Sequence, residues 1–81
     1  GYLAGTVEEL QRVWCATGLL RHERAYVIAT DLEPTRQRLD ANEYLEVREV
    51  PRSQVLAHVR RQPTNEATIE GILLAKEDGY L

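Results

Sequence analysis

The sequence predicts an α/β (α+β) fold in which three strands are followed by two C-terminal helices. Three segments rich in apolar, β-branched or aromatic residues come first, and turn-forming residues separate them. Two segments with apolar residues at helical spacing come next. The predicted strands are residues 7–16, 23–32 and 43–50, and the predicted helices cover residues 52–62 and the stretch between Asn65 and Gly79.

The first predicted strand, residues 7–16, follows a short segment with two glycines. We expect that segment, residues 1–5, to form a turn. Alternation along the strand predicts two partly apolar faces, formed by Leu10, Trp14 and Ala16 on one side and by Val13 and Cys15 on the other. A strand with apolar side chains on both faces is expected to be buried.

The second predicted strand, residues 23–32, is centred on a continuous apolar run at 26–28 and ends before Pro34, which cannot donate to a strand ladder. A polar loop over residues 35–42 then leads to the third predicted strand, residues 43–50, which Pro51 closes.

The two helices are predicted from apolar spacing and from residues that start or stop helices. The first presents Val55, Leu56 and Val59 on one side and ends before Pro63. The second has Asn65 as its N-cap, Glu66 in its first turn and Gly79 as the residue that ends it.

A sheet that is apolar on both faces requires a covering layer on each side. The two C-terminal helices are expected to cover one face only. The other face would then expose Val27, Ile28 or their neighbours to water. We therefore expect that the 81-residue chain does not persist alone as a compact monomer.

Length and composition limit the classes of protein to which this chain can belong. Eighty-one residues correspond to one small domain, residues 1–81, with 43% hydrophobic and 28% charged residues. The formal net charge of −3 argues against a nucleic-acid binder. The sequence has no apolar run long enough for a membrane span and no signal-peptide pattern. Since one cysteine cannot form an internal disulfide, the cytoplasm is the expected compartment.

Three segments, at residues 14–34, 39–51 and 65–79, resemble the C-terminal half of a Nudix hydrolase of the ADP-ribose pyrophosphatase type. Gly1-Tyr2 is similar to the end of the Nudix box, G-x5-E-x7-R-E-U-x-E-E-x-G-U. The resemblance implies a partial Nudix α/β/α sandwich that lacks one helical layer. It also implies that the metal-binding glutamates of the box would lie just upstream of Gly1.

The same resemblance implies a chemistry and a set of site residues. Family members use divalent metals, usually Mg²⁺, to cleave the pyrophosphate of ADP-ribose or other nucleoside diphosphate sugars. Asp40 and Glu43 match the D-x-x-E-x-[ILF]-x-V segment, whose glutamate is associated with metal-bound water or with the catalytic base. Glu43 is therefore the expected catalytic residue, and the alternative is a surface glutamate at the start of a strand. Glu23 and Arg24 match the E-R pair of the S-P-G-F-x-x-E-R loop and are expected at the substrate. The alternative for either residue is an ion pair at the edge of a strand.

Gly18 stands where the ADP-ribose hydrolases carry a specificity-determining proline, so the resemblance leaves the sugar open. The isolated chain is expected to be inactive because the Nudix-box glutamates are not in it. The alternative is a degenerate, non-catalytic Nudix module that binds a nucleotide or a protein. Expected partners are a nucleoside diphosphate sugar and either a second copy, forming a homodimer, or the N-terminal half of the domain, with no role for nucleic acid or membrane.

The remaining polar and reactive residues have plainer interpretations. Glu8 and Glu9 are adjacent on a strand, so they face opposite sides and are expected to be solvated. Cys15 is expected to be a small core residue, because no base accompanies it. His22 and His58 lack the spacing of metal ligands. Trp14 is expected in the core or at a subunit contact.

Overall fold

Two long antiparallel strands and two short helices form the structure, a computed structural model that describes residues 1–15, 18, 21–37 and 45–81. The strands are β1 (Tyr2–Cys15) and β2 (His22–Pro34). A 3₁₀ turn (Arg52–Gln54) leads into α1 (Val55–Val59), and α2 covers Glu66–Glu77. The α+β class is confirmed, with a two-stranded sheet.

The ladder between β1 and β2 contains one bulge, which lies between Glu9 and Gln11. Glu9 is opposite Val27, yet Gln11 is opposite Tyr26, so Leu10 is the extra residue. The bulge shifts the alternation of side chains along β1. The predicted grouping of Leu10 with Trp14 on one face is therefore wrong.

The predicted turn at residues 1–5 is also wrong, because the strand begins at Tyr2. Tyr2 pairs with Pro34, so hydrogen bonds of the ladder offset the weak strand preference of the glycines. Gly5 does not form a turn; it allows Asp31 of β2 to lie close to the backbone of β1. A β-carbon at this position would lie 2.8 Å from Cβ of Asp31, which has a positive φ of 52°.

The third predicted strand is absent from the part of 43–50 that the structure describes. Residues 45–50 have no ladder partner in the described ranges, and Leu45 and Val47 are exposed. The alternating pattern of this segment favours a strand, but a strand also requires a neighbour to accept its backbone hydrogen bonds. The segment is tied to the start of β1 by the Tyr2 hydroxyl, which donates to Glu49 at 2.8 Å.

The first helix is shorter than predicted. Its α-helical part is only Val55–Val59, and no side chain caps its N-terminus. The residues before Pro63 do not continue the helix, since a following proline disfavours the helical conformation.

The signals predicted for the second helix are confirmed. The Asn65 side chain accepts a hydrogen bond from the Thr68 backbone N–H at 2.8 Å. Gly79 has a φ of 86°, and Tyr80 N–H donates to the Ala75 carbonyl at 2.8 Å, which is the Schellman arrangement.

The helix α2 covers one face of the sheet and leaves the other open. Along β2, Tyr26 is 8% exposed and faces α2, whereas Val27 is 58% exposed on the opposite side. Among the described residues, the buried hydrophobic side chains are Tyr26 of β2 and Ala75 of α2. The exposure predicted for Val27 is confirmed, but Ile28 is half-buried. We call the uncovered side the open face; it carries Val7, Glu9, Arg12 and Trp14 of β1 and Glu23, Ala25, Val27 and Ala29 of β2.

Neither described helix is long and apolar enough to cross a membrane.

Candidate functional site

A polar cavity of about 340 Å³ lies where the end of β1, the start of β2 and the first turns of α2 meet. Its charged side chains are one cation and two anions. The lining residues are Val13, Trp14, Cys15, Arg24, Glu66 and Glu70. Because Arg24 is one of the residues predicted at the substrate, we take this Arg24 cavity as the candidate functional site.

A chain of hydrogen bonds holds Arg24 in this cavity. Nη1 of Arg24 donates to the Tyr26 hydroxyl at 3.3 Å, and that hydroxyl donates to Oε2 of Glu70. Strand alternation places Arg24 and Tyr26 on the same face of β2, and Glu70 lies across from them on α2. The chain therefore fixes the helix to the strand as well as orienting the guanidinium.

The same hydrogen bonds shift two pKa values. The bond to Glu70 raises the pKa of Tyr26 above its ordinary 10.0, because ionisation would place a phenolate beside a carboxylate. The hydrogen bond from Arg24 lowers the pKa of Tyr26, but its effect is the smaller of the two. The bond to Tyr26 raises the pKa of Arg24, so this guanidinium stays charged.

Glu66 supplies a second, weaker partner for Arg24. Its Oε1 lies 3.9 Å from Nη2 of Arg24, and its side chain is 75% exposed. An exposed pair at this distance contributes little, in the range of about 0–1 kcal/mol. Arg24 has five N–H donors. The guanidinium can therefore accept a further anionic partner, in competition with Glu66.

The two residues predicted at the substrate are not brought together. Glu23 lies on the open face, where its Oε2 is 3.4 Å from Nη1 of Arg12. Arg24 lies on the side of the sheet that α2 covers. Adjacent residues in a strand point to opposite faces, so one small ligand cannot contact both side chains on the same face.

The predicted catalytic base, Glu43, lies outside the described residues, and so does Asp40. Around Arg24 lie instead three side chains to which the sequence analysis gave no role in a site, Tyr26, Glu66 and Glu70. The spacing of Glu66 and Glu70 by four residues indicates that they share one side of a helix. No local signal indicates that this side meets Tyr26, 44 residues earlier.

The other reactive side chains have separate environments. Glu8 accepts a hydrogen bond from the Tyr80 hydroxyl, whereas Oε1 of Glu9 pairs with Nε of Arg12 at 2.7 Å on the open face. Cys15 is a half-buried free thiol at the edge of the Arg24 cavity. Within residues 1–15, 18, 21–37 and 45–81, no group of three or more His, Cys, Asp or Glu side chains is arranged to hold a metal ion.

A second cavity of about 340 Å³ is apolar and lies between α2, α1 and the sheet. Leu10, Ile28, Val55 and Ile72 are among the side chains around it. It shows that the helices do not fill the space above the sheet, in keeping with the small number of buried residues.

A comparison with known proteins found no matching family model, no matching curated protein and no matching solved structure.

Proposed function

We propose that this chain forms the C-terminal part of a Nudix-type hydrolase that cleaves the pyrophosphate of ADP-ribose or another nucleoside diphosphate sugar. The observation that supports it best is the oriented guanidinium of Arg24 in a cavity of about 340 Å³. This volume lies within the range typical of small-molecule sites, about 300–1,000 Å³. The three sequence segments that resemble the family support the same proposal.

The open face is consistent with the partial α/β/α sandwich that this proposal includes. One helical layer, α2, lies on the sheet, and the opposite face presents apolar side chains such as Val27 to solvent. In the proposed complete domain, a second helical layer covers that face.

Arg24 is proposed to bind a phosphate group of the substrate. A guanidinium fork matches two phosphate oxygens, and such charge-assisted hydrogen bonds are about twice as strong as neutral ones. The substrate would displace Glu66, whose exposed carboxylate lies 3.9 Å from the guanidinium. Tyr26 would keep the guanidinium in position. Glu23 pairs with Arg12 on the opposite face of the sheet, so the family's substrate role for Glu23 is not proposed for the Arg24 cavity.

Glu43 is proposed as the base that takes a proton from the attacking water. The family's Mg²⁺ would stabilise charge on the pyrophosphate. The described residues do not fit a magnesium site, because no three or more of their His, Cys, Asp or Glu side chains are grouped to hold a metal ion. No ligand of the metal is therefore assigned to them, and the isolated chain is proposed to be inactive.

The second candidate function is a non-catalytic Nudix-like module that binds a nucleotide or a protein. The exposed open face favours this alternative, since uncovered apolar surface of this kind marks interaction sites. Under either function the proposed compartment is the cytoplasm. The proposed association is with a second copy or with an N-terminal half of the domain, and neither nucleic acid nor membrane is a proposed partner.

Titration calorimetry with ADP-ribose tests the role of Arg24. Arg24→Ala is expected to abolish measurable binding, because it removes the phosphate partner. Arg12→Ala is the matched control, an arginine of the same sheet on the open face, and it is expected to retain binding. Equal binding by both variants would show that Arg24 does not bind the substrate.

Magnesium-dependent release of AMP from ADP-ribose tests the enzymatic part of the proposal. The chain alone is expected to release none. Added to the N-terminal half of a Nudix domain, it is expected to restore release, which Glu43→Gln should then abolish. Release that is unaffected by Glu43→Gln would exclude this glutamate as the base. Release by the chain alone would contradict the proposed inactivity.

A further inference from the structure

Three elements of the fold surround the apolar cavity of about 340 Å³, which lies on the side of the sheet that α2 covers. Its walls include Leu10 and Ile28 from the sheet, Val55 from α1 and Ile72 from α2. All four side chains are half-buried. The fold therefore leaves apolar surface uncovered here, and a molecule that enters the cavity would remove that surface from water.

The side chains around the cavity offer no partner to a charged or polar molecule. Among the described residues, none of the side chains that line it is charged. Tyr26 and Thr68 carry the hydroxyl groups of the lining, and each donates its hydrogen bond elsewhere. The Tyr26 hydroxyl donates to Glu70, and the Thr68 hydroxyl donates to Oδ1 of Asn65 at 2.9 Å.

Water is a poor occupant of such a cavity. A buried water molecule requires about two to four polar partners, and these side chains do not supply them. An apolar group that displaces poorly held water gains affinity, because it also contacts the side chains around it. The chemistry of the lining therefore favours an apolar ligand over water.

Hydrogen bonds from two tyrosines hold α2 above the sheet. The Tyr26 hydroxyl of β2 donates to Glu70 in the N-terminal half of α2, and the Tyr80 hydroxyl, just after the helix, donates to Glu8 of β1. The bulge adds Leu10 to the wall of the cavity between them. These contacts keep the helix at a set distance from the sheet, so the cavity is a feature of the fold.

We propose that this cavity binds a neutral, apolar molecule with two fused rings, or a hydrocarbon of equal size. An apolar cavity of about 150 Å³ binds one benzene ring. The cavity in this chain has more than twice that volume, which is room for about ten carbon atoms. A charged ligand is excluded, because burying a charge without a partner is costly. The proposal does not depend on the hydrolase proposal, whose ligand carries phosphate groups and binds at Arg24.

An NMR titration of the 81-residue chain with naphthalene tests this site. We expect saturable shifts of the methyl signals of Leu10, Ile28, Val55 and Ile72, with a Kd on the order of 100 µM. Naphthalene-2-sulfonate has the same two rings and a negative charge. It is expected to shift these methyl signals with an affinity at least about tenfold lower.

Ala67→Phe and Ala57→Phe form a matched pair of variants. Ala67 lines the cavity, so a phenylalanine there would occupy the space of the ligand and weaken naphthalene binding at least about tenfold. Ala57 is an exposed residue of α1 and is not among the lining residues, so Ala57→Phe is expected to retain wild-type binding. Far-UV circular dichroism checks that both variants keep the fold. If Ala67→Phe does not fold, the methyl shifts of the unmodified chain decide the question.

Four outcomes would overturn the proposal. One is the absence of saturable shifts in the four methyl-bearing residues up to the solubility limit of naphthalene. Another is a set of shifts confined to the open face, at Val7 and Trp14, which would indicate adsorption to exposed surface. Equal loss of binding in Ala67→Phe and Ala57→Phe would exclude the cavity as the site. Equal affinity for naphthalene-2-sulfonate at the same methyl groups would contradict a site for neutral molecules.

Discussion

The ring of Tyr26 lies directly against the backbone of Gly71, where α2 crosses the sheet. A β-carbon placed at Gly71 would be 3.2 Å from Cδ1 of Tyr26. The helix can therefore approach the strand closely enough for Glu70 to accept the hydrogen bond from Tyr26. This contact joins the helix to the sheet and orients Arg24, so the packing of the fold and the geometry of the Arg24 cavity depend on the same residues.

Gly71→Val is expected to lower the free energy of unfolding by about 1–3 kcal/mol, because two branches of the side chain would enter the space of the Tyr26 ring. The better helix propensity of valine offsets only part of this cost, less than about 1 kcal/mol. Urea denaturation followed by circular dichroism measures the change. Gly18→Val is the control: a β-carbon at Gly18 has no neighbour within 4 Å, so a loss as large as that of Gly71→Val would contradict the steric explanation.

Asn65→Ala is expected to lower the free energy of unfolding by about 1 kcal/mol, because the Thr68 backbone N–H loses the side-chain acceptor that caps α2. Asn65→Asp keeps an acceptor at the same place and adds a favourable charge at the helix N-terminus, so it should retain wild-type stability. Urea denaturation again supplies the measurement. If the two variants are equally destabilised, the cap is not what Asn65 contributes.

Stability is expected to fall at alkaline pH. Tyr2, Tyr26 and Tyr80 each donate a hydrogen bond to a glutamate, and each has a folded-state pKa raised above 10.0, mainly by that hydrogen bond. The folded state therefore holds these protons more tightly than the unfolded state. The stabilising contribution is complete below about pH 10 and is lost as the pH rises through the folded-state values.

Urea midpoints between about pH 8 and about pH 11 measure this loss. The wild-type midpoint is expected to decrease more steeply above pH 10 than that of Tyr26→Phe, which has one fewer tyrosine to ionise. Identical slopes for the two proteins would show that the Tyr26–Glu70 bond does not carry the effect.

Glu66→Gln is expected to strengthen the binding of ADP-ribose, because it removes the carboxylate that competes with phosphate for Arg24. The pair is exposed and 3.9 Å apart, so the gain should be modest, about two- to fivefold. Glu77→Gln, at the opposite end of α2, changes the net charge by the same amount and controls for it. Calorimetry should show the gain only for Glu66→Gln. An equal gain in both variants would indicate a general effect of charge.

Much of the local structure is predictable from the sequence, because the interactions that set it lie within a few residues. The continuous apolar run of β2 predicts its strand, and Asn65 and Gly79 predict the two ends of α2. An N-cap acts on the next turn of the helix, and glycine adopts the left-handed conformation that follows a helix without a steric penalty. The same local alternation accounts for Glu23 and Arg24 facing opposite sides of the sheet, although the family resemblance implied that both lie at the substrate.

Features that depend on residues far apart in the chain are set by the tertiary structure. The bulge at Leu10 changes which β1 side chains share a face, and the close approach of Asp31 explains Gly5. The segment 45–50 has a strand pattern but no partner in the described ranges, since pairing depends on where another strand lies. The Arg24 cavity exists because α2 brings Glu70 to Tyr26. The amino-acid sequence by itself determined the strand β2 and the two ends of α2. Only three-dimensional packing decided which segments pair and which faces meet, because contact energies depend on positions in space that no local pattern encodes.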